Sequence, residues 1–241
     1  MGPPSQGRAS GVSNFPFRRR LVPPSPKPSD APPFLVSSPP VAEVIESSTR
    51  EILAEVYAEA EVPAFGSWVE VETDDGAVLY GLVSHAETGS VEPGRQAVAL
   101  GADYDRDRIR REMPQILELV RTTVRAQVLA FWDGRSRDDG RPRVRQTLPP
   151  RPAALHDRVR VCGPDAVARL AAPFDVLRTL ARHPDPAVPA DDLLAAALRN
   201  LYDAHGGGAD GDTVLVAAGQ ALARLLDDDH ERLQSILRRV R

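Results

Sequence analysis

The stretch from Phe65 to Thr88, FGSWVEVETDDGAVLYGLVSHAET, restricts the fold more than any other part of the chain. Val69 and Val71 alternate with Glu70 and Glu72, Thr73-Asp74-Asp75-Gly76 supplies a reversal, and Ala77 to Val83 resumes as an apolar run. Asp-Gly between two such runs predicts a tight β-hairpin, because glycine accepts the positive φ that a tight hairpin turn demands. The second strand is apolar on both faces, with Val78, Tyr80 and Leu82 on one and Leu79, Gly81 and Val83 on the other. A strand of that kind belongs inside a barrel or sandwich, not at a wet edge.

The segments on either side can close a small barrel around this hairpin. Residues 41–62, VAEVIESSTREILAEVYAEAEV, are readable in two ways. Ile45, Ile52, Leu53 and Val56 fit a helical face, yet Ser47-Ser48-Thr49 can also turn the chain into a second alternating run, Ile52-Ala54-Val56. Periodicity alone leaves both open. After the hairpin, Gly89 to Leu100 reads as a loop with Pro93-Gly94 and a short strand at Gln96 to Leu100. Asp103 is placed to cap a helix on which Ile109, Met113, Ile116, Leu117 and Val120 share a face, interrupted by Pro114. Val124 to Phe131 then alternates as a strand, Gly134 to Pro142 is a polar loop, and Val144 to Leu148 and Arg158 to Cys162 complete the β-rich part. Between the last two lies Pro149-Pro150-Arg151-Pro152, a stiff extended connector.

From Asp165 the period becomes helical. Leu193, Leu194, Ala197, Leu198 and Leu201 form one stripe, Val214, Leu215, Ala218, Leu222 and Leu225 a second, and Leu233, Ile236, Leu237 and Val240 a third. Gly206-Gly207-Gly208 separates the first two as a helix stop; no Gly-Lys-Ser/Thr follows to make it a phosphate cradle. The fold expected is α+β: a small closed β-barrel with an inserted helix over residues 41–163, followed by a C-terminal helical bundle over 164–241. Residues 1–40 hold 11 of the 23 prolines and few large apolar groups, so they are expected to be a disordered, proline-rich tail.

Charge is unevenly spread. The tail carries five basic residues against Asp30, whereas the whole chain has a net charge of -4. Within residues 121–160 ten arginines meet four aspartates, which makes Arg121, Arg125, Arg143 and Arg145 candidates for nucleic-acid contact. Arginines on the outside of strands also serve simply as solvated surface. An aromatic content of 5% offers few stacking platforms for single strands.

Composition removes much chemistry. Lys27 is the sole lysine and lies in the tail, so a phosphate-loop lysine, a Schiff base and a lysine general base are excluded from the folded part. Cys162 is the sole cysteine, which forbids an intrachain disulfide and makes the cytoplasm the expected compartment. No apolar run approaches the roughly 20 residues of a membrane span, and the first residues lack the charged-then-apolar order of a secretory signal. His85, His156, His183 and His205 have no shared spacing for a metal, and Asp227-Asp228-Asp229-His230 sits where a helix begins, as a cap would. No catalytic residue, cofactor site or metal site is read from the sequence.

Four segments carry a family resemblance: Val41 to Thr49 (VAEVIESST), Phe65-Gly-Ser-Trp-Val69, Tyr80-Gly-Leu-Val83 and Leu148 to His156 (LPPRPAALH). Together, in this order and with a helical C-terminal part, they resemble the HAS-barrel family, the β-barrel shared by HerA-type DNA translocases and rotary ATP synthase subunits. The resemblance favours two strands over residues 41–62. It departs from the full translocase in lacking an ATPase module, and so implies a non-enzymatic accessory protein that docks on a separate HerA-like hexameric ATPase in DNA processing. In that family barrels contact one another around a ring, so self-association is also implied. The expected partner surface comprises Trp68, Tyr80 and the connector Pro149, Pro150, Arg151 and Pro152, because amphipathic aromatics dominate such contacts. Packing within the barrel is the competing role for Trp68 and Tyr80. A basic barrel that binds nucleic acid is the alternative function.

Overall fold

The computed structural model describes residues 38–90, 101, 104–114, 116, 119–136 and 142–240. Seven antiparallel strands form one sheet: β1 (Ala42–Ser47), β2 (Glu51–Val56), β3 (Trp68–Glu72), β4 (Val78–Ser90), β5 (Val120–Ser136), β6 (Pro142–Arg145) and β7 (Arg158–Val161). The order is β2-β1-β7-β3-β4-β5-β6, and pairing of β2 with β5 closes the first six into a barrel. Closure leaves no free edge among those six, and β6 extends the sheet from β5 alone.

Local chemistry explains the turns. Ser48 ends β1 by accepting at Oγ from the backbone N–H of Arg50 (3.2 Å) and Glu51 (3.0 Å), so residues 41–62 fold as two strands. Ile52, Ala54 and Val56 point inward from β2 as alternation required. At the β3–β4 hairpin the Ala77 carbonyl accepts from Thr73 N–H (2.9 Å), and Gly76 adopts φ 78°. The two faces of β4 then part company. Leu79 and Val83 join Val44, Ile52, Val71 and Val128 in the barrel lumen, while Val78, Tyr80 and Leu82 face outward into a second core. The lumen is narrow, since a Cβ on Gly81 would lie 3.1 Å from that of Ala126.

Two irregularities re-aim side chains on this wall. Tyr80 pairs with Ala130 but Gly81 with Val128, so Leu129 is an extra residue on β5 and turns into the outer core. Val83 pairs with Ala126 but His85 with Arg125, so Ser84 is extra on β4.

Helix α1 (Arg106–Glu112) lies between β4 and β5. Its cap is Asp105, whose Oδ1 accepts from Arg108 N–H (2.7 Å), and it ends before Pro114, which cannot continue it. The expected helical face ran on to Val120, but Val120 opens β5, because β5 is drawn out to pair with the long β4 as far as Ser90. At its other end β5 continues through Gly134 to Ser136, where a loop was expected, because Ser136 pairs with Pro142 of β6. The expected cap Asp103, the strand at Gln96 to Leu100 and nearly all of the proline-rich tail lie outside the described residues.

Five helices follow from residue 164: α2 (Pro164–Arg169), α3 (Asp175–Ala181), α4 (Ala190–Ala204), α5 (Gly208–Leu225) and α6 (His230–Val240). Proline opens α2, where its missing N–H costs nothing. Asp191 and Asp192 occupy the first turn of α4, favourable against the helix dipole. Asp229 caps α6 by accepting from Arg232 N–H (3.0 Å), and Arg232 donates from Nε to Asp191 (2.8 Å), tying α6 to α4. Leu193, Leu194, Leu198 and Leu201 of α4 are fully buried together with Trp68, Leu82 and Trp132 of the sheet. Each such leucine contributes about 1.5–3 kcal/mol, so this second core is held by the barrel's outer wall and the helices in common. No helix among the described residues is long and apolar enough to cross a membrane.

Candidate functional site

Four chain segments meet around a cleft of about 530 Å3: the β1–β2 turn, the middle of β5, Leu148 after β6, and the end of α3 with the loop after it. Val128 and Leu129 form its floor but are buried, with side chains in the lumen and the outer core, and its apolar groups open to water are Leu148, 44% exposed, and Pro184. Arg50, Arg178 and Arg182 also line it, and all three are exposed. None of the three has an acidic partner among the described residues.

A buried polar network underlies the cleft. Gln127, 3% exposed, donates from Nε2 to Glu51 Oε2 (2.8 Å) and to Ser84 Oγ (3.2 Å), and its Oε1 lies 3.0 Å from His183 Nε2. Since the amide nitrogen is committed to Glu51 and Ser84, Oε1 is the acceptor and His183 Nε2–H the donor. Ser84 is the extra residue of the β4 bulge, and its hydroxyl donates onward to the Arg125 carbonyl (3.2 Å). Arg125 closes the network with a short ion pair to Glu51. One glutamine thus joins β2, β4, β5 and the helical segment, and Glu51, which lines the cleft together with Asp185, is satisfied from within the protein.

A second, smaller cleft of about 280 Å3 lies between the β3–β4 turn and the proline connector. Pro149, Pro150, Arg151 and Pro152 form one side, and Asp74, Asp75 and Phe131 the other. Pro149 is buried, whereas Pro150, Arg151 and Pro152 are exposed, with Arg151 3.9 Å from Asp75. Asp75 accepts from the Thr73 hydroxyl (2.6 Å), which chiefly holds its carboxyl below the ordinary range.

Trp68 and Tyr80, expected to face a partner, do not reach the surface. They are 2% and 1% exposed, covered by the protein's own helices. The two-faced strand demanded a cover for its outer side, and α2 to α6 provide it. Tyr80 sits opposite Glu70, also buried, beside Cys162 and Arg169. Burial raises the Glu70 carboxyl, against the pull of Arg169 and Arg160. Burial also pushes the Cys162 thiol well up, which leaves it protonated and unreactive.

The expected basic patch is largely spoken for. Arg121 pairs with Glu55 (4.0 Å), Arg125 with Glu51, and Arg145 with Asp133 (3.1 Å), while Arg143 is exposed. The structure therefore brings Arg125 into a network, keeps Arg143 and Arg145 together on β6, and places Arg121 at the other end of β5. Among the described residues no group of three or more His, Cys, Asp or Glu is close enough to hold a metal ion. Arg50, Arg178, Arg182 and His183, which do share a site, come from segments more than a hundred residues apart; sequence offered no signal for them beyond the i, i+4 spacing of the last two arginines. No family model matches the chain, and no curated protein matches it in sequence.

Proposed function

We propose that this protein is a non-enzymatic accessory module of DNA processing, whose barrel docks on a separate ring-forming ATPase of the HerA type. The helices from residue 164 act as a bundle that braces one wall of the barrel and leaves the other for the partner. The observation that carries this reading is the asymmetry of the closed six-stranded barrel. The outer wall at β3, β4 and β5 is packed under helices, whereas β1, β2 and β7 turn Glu43, Glu55 and Arg158 outward at part-exposed or exposed positions. A closed barrel wall with alternating charge and no helical cover among the described residues suits a contact that must be specific and reversible. The segments resembling HAS-barrel proteins include Val41 to Thr49, which supplies β1 of that open wall.

The test is reconstitution at neutral pH and moderate salt with a purified HerA-type hexameric ATPase. Co-elution on size-exclusion chromatography, lost in the double reversal Glu43→Arg and Glu55→Arg, supports the reading. Failure to co-elute even at low salt, where charge-guided contacts are strongest, overturns it.

A further inference from the structure

The arginine-rimmed cleft opens where the β1–β2 turn meets β5 and the end of α3, and the docking proposed above assigns it no role. Arg178 and Arg182 stand four residues apart at the end of α3, where like charges repel on a shared helical face. Arg50 comes to the same cleft from the β1–β2 turn, positioned by the bond from Val128 N–H to its carbonyl (2.8 Å). Eight other arginines meet an aspartate or glutamate within 4.0 Å among the described residues. Arg50, Arg178 and Arg182 do not, among the described residues, and they are gathered at one concave site; Asp185, which also lines it, accepts at Oδ1 from Ala187 N–H (2.9 Å). Glu51 supplies no compensation, being held by Arg125 and Gln127.

Beside the charges lie apolar groups. Val128 and Leu129 close the floor but are themselves buried, whereas Leu148 leaves a large apolar side chain half in water at the rim and Pro184 is exposed beside it. A volume of about 530 Å3, apolar groups in its wall and a few charged groups at the mouth are the features of a small-molecule pocket. The floor is rigid, because Gln127 fastens it to β2, β4 and His183.

We propose that the cleft binds an amphipathic organic anion: a carboxylate that meets Arg178 and Arg182, with Arg50 flanking, on an unbranched apolar chain that covers Leu148 and Pro184. Occupancy neutralises the arginine cluster and removes Leu148 and Pro184 from water together. It also bridges the barrel to α3, so a bound anion stabilises the seam between strands and helices.

The measurement is isothermal titration of the full chain with three probes: decanoate, decyltrimethylammonium and inorganic phosphate. Decanoate is expected to saturate at one per chain and to bind more tightly than either of the others. The double variant Arg178→Ala, Arg182→Ala alters two exposed side chains, and should weaken decanoate by about tenfold or more while leaving the melting temperature without decanoate close to that of the parent. Leu148→Ser serves as an independent variant, expected to weaken decanoate and leave the weak phosphate response unchanged. Absence of saturable decanoate binding overturns the proposal. Equal binding of the cationic amphiphile, phosphate binding as tight as decanoate, or indifference to both variants overturns it equally.

Discussion

Asn200 donates from Nδ2 to the carbonyl of Gly66 at 2.5 Å, joining the middle of α4 to the residue that leads into β3. Gly66 holds φ 78°, and a Cβ there would lie 2.4 Å from Cβ of Ala196, one turn before Asn200. Helix and strand entry approach so closely that only glycine fits between them. Gly66→Ala is therefore expected to cost about 3 kcal/mol, from left-handed strain and overpacking together. Asn200→Ala, which removes one hydrogen bond without a clash, should cost about 1 kcal/mol. Urea denaturation of the two variants gives both figures, and equal losses would refute the steric account.

Gln127 is the hub beneath the cleft, and Gln127→Leu keeps its volume while deleting its amide. Ser84 Oγ, Glu51 Oε2 and His183 Nε2 each then lose a partner. A loss of about 2–3 kcal/mol is expected. Amide exchange in the loop from His183 to Ala187 should quicken in step, because that loop is moored through His183. A variant as stable as the parent would mean that water replaces the amide at no cost.

Glu70 gives the protein a pH dependence of unusual sign for a carboxylate. Burial raises its folded-state pKa above the ordinary 4.5, so the folded chain holds this proton more firmly than the unfolded chain. Its effect on stability is thus most favourable below pH 4.5 and declines as pH rises from there through the raised folded value. Glu70→Gln should flatten this decline and be at least as stable as the parent at neutral pH. Melting temperatures of the two proteins across that window decide the matter; a parallel decline in both would show that Glu70 is not its source.

Asp75 works in the opposite direction. Its carboxyl is lowered, chiefly by the Thr73 hydroxyl, so it stabilises the turn above its ordinary 3.8 and loses that contribution as pH falls through the folded value. Thr73→Val should lower stability at neutral pH, where the contribution is fully present, and move the acid-unfolding midpoint to higher pH. An unshifted midpoint would remove the Thr73 hydroxyl as the cause.

The hairpin was legible because Asp75-Gly76 and strict alternation at Val69 and Val71 leave one register. Both faces of β4 being apolar kept it from a wet edge, and each face packs into a core. What covers the outer face was not legible: Trp68 and Tyr80 look alike in sequence whether they meet a partner or the chain's own helices. Strand length was misjudged at Val120 because a helical stripe and a strand start both place an apolar residue there, and only pairing with Ser90 decides. The cleft was invisible for a related reason. Arg50 and Arg182 are brought together by barrel closure and helix docking, which no local pattern encodes.

The two-sided character of β4 has a consequence for how the chain comes into being. Synthesis delivers all seven strands before any of the helices from Pro164 onward, so a nascent barrel carries Tyr80, Leu82 and Trp132 bare until the last third of the polypeptide emerges. Such a wall is adhesive toward its neighbours on a crowded polysome. Productive folding must either wait for the carboxyl-terminal third or be shielded meanwhile, and truncation at residue 163 should yield aggregate in place of a free-standing barrel.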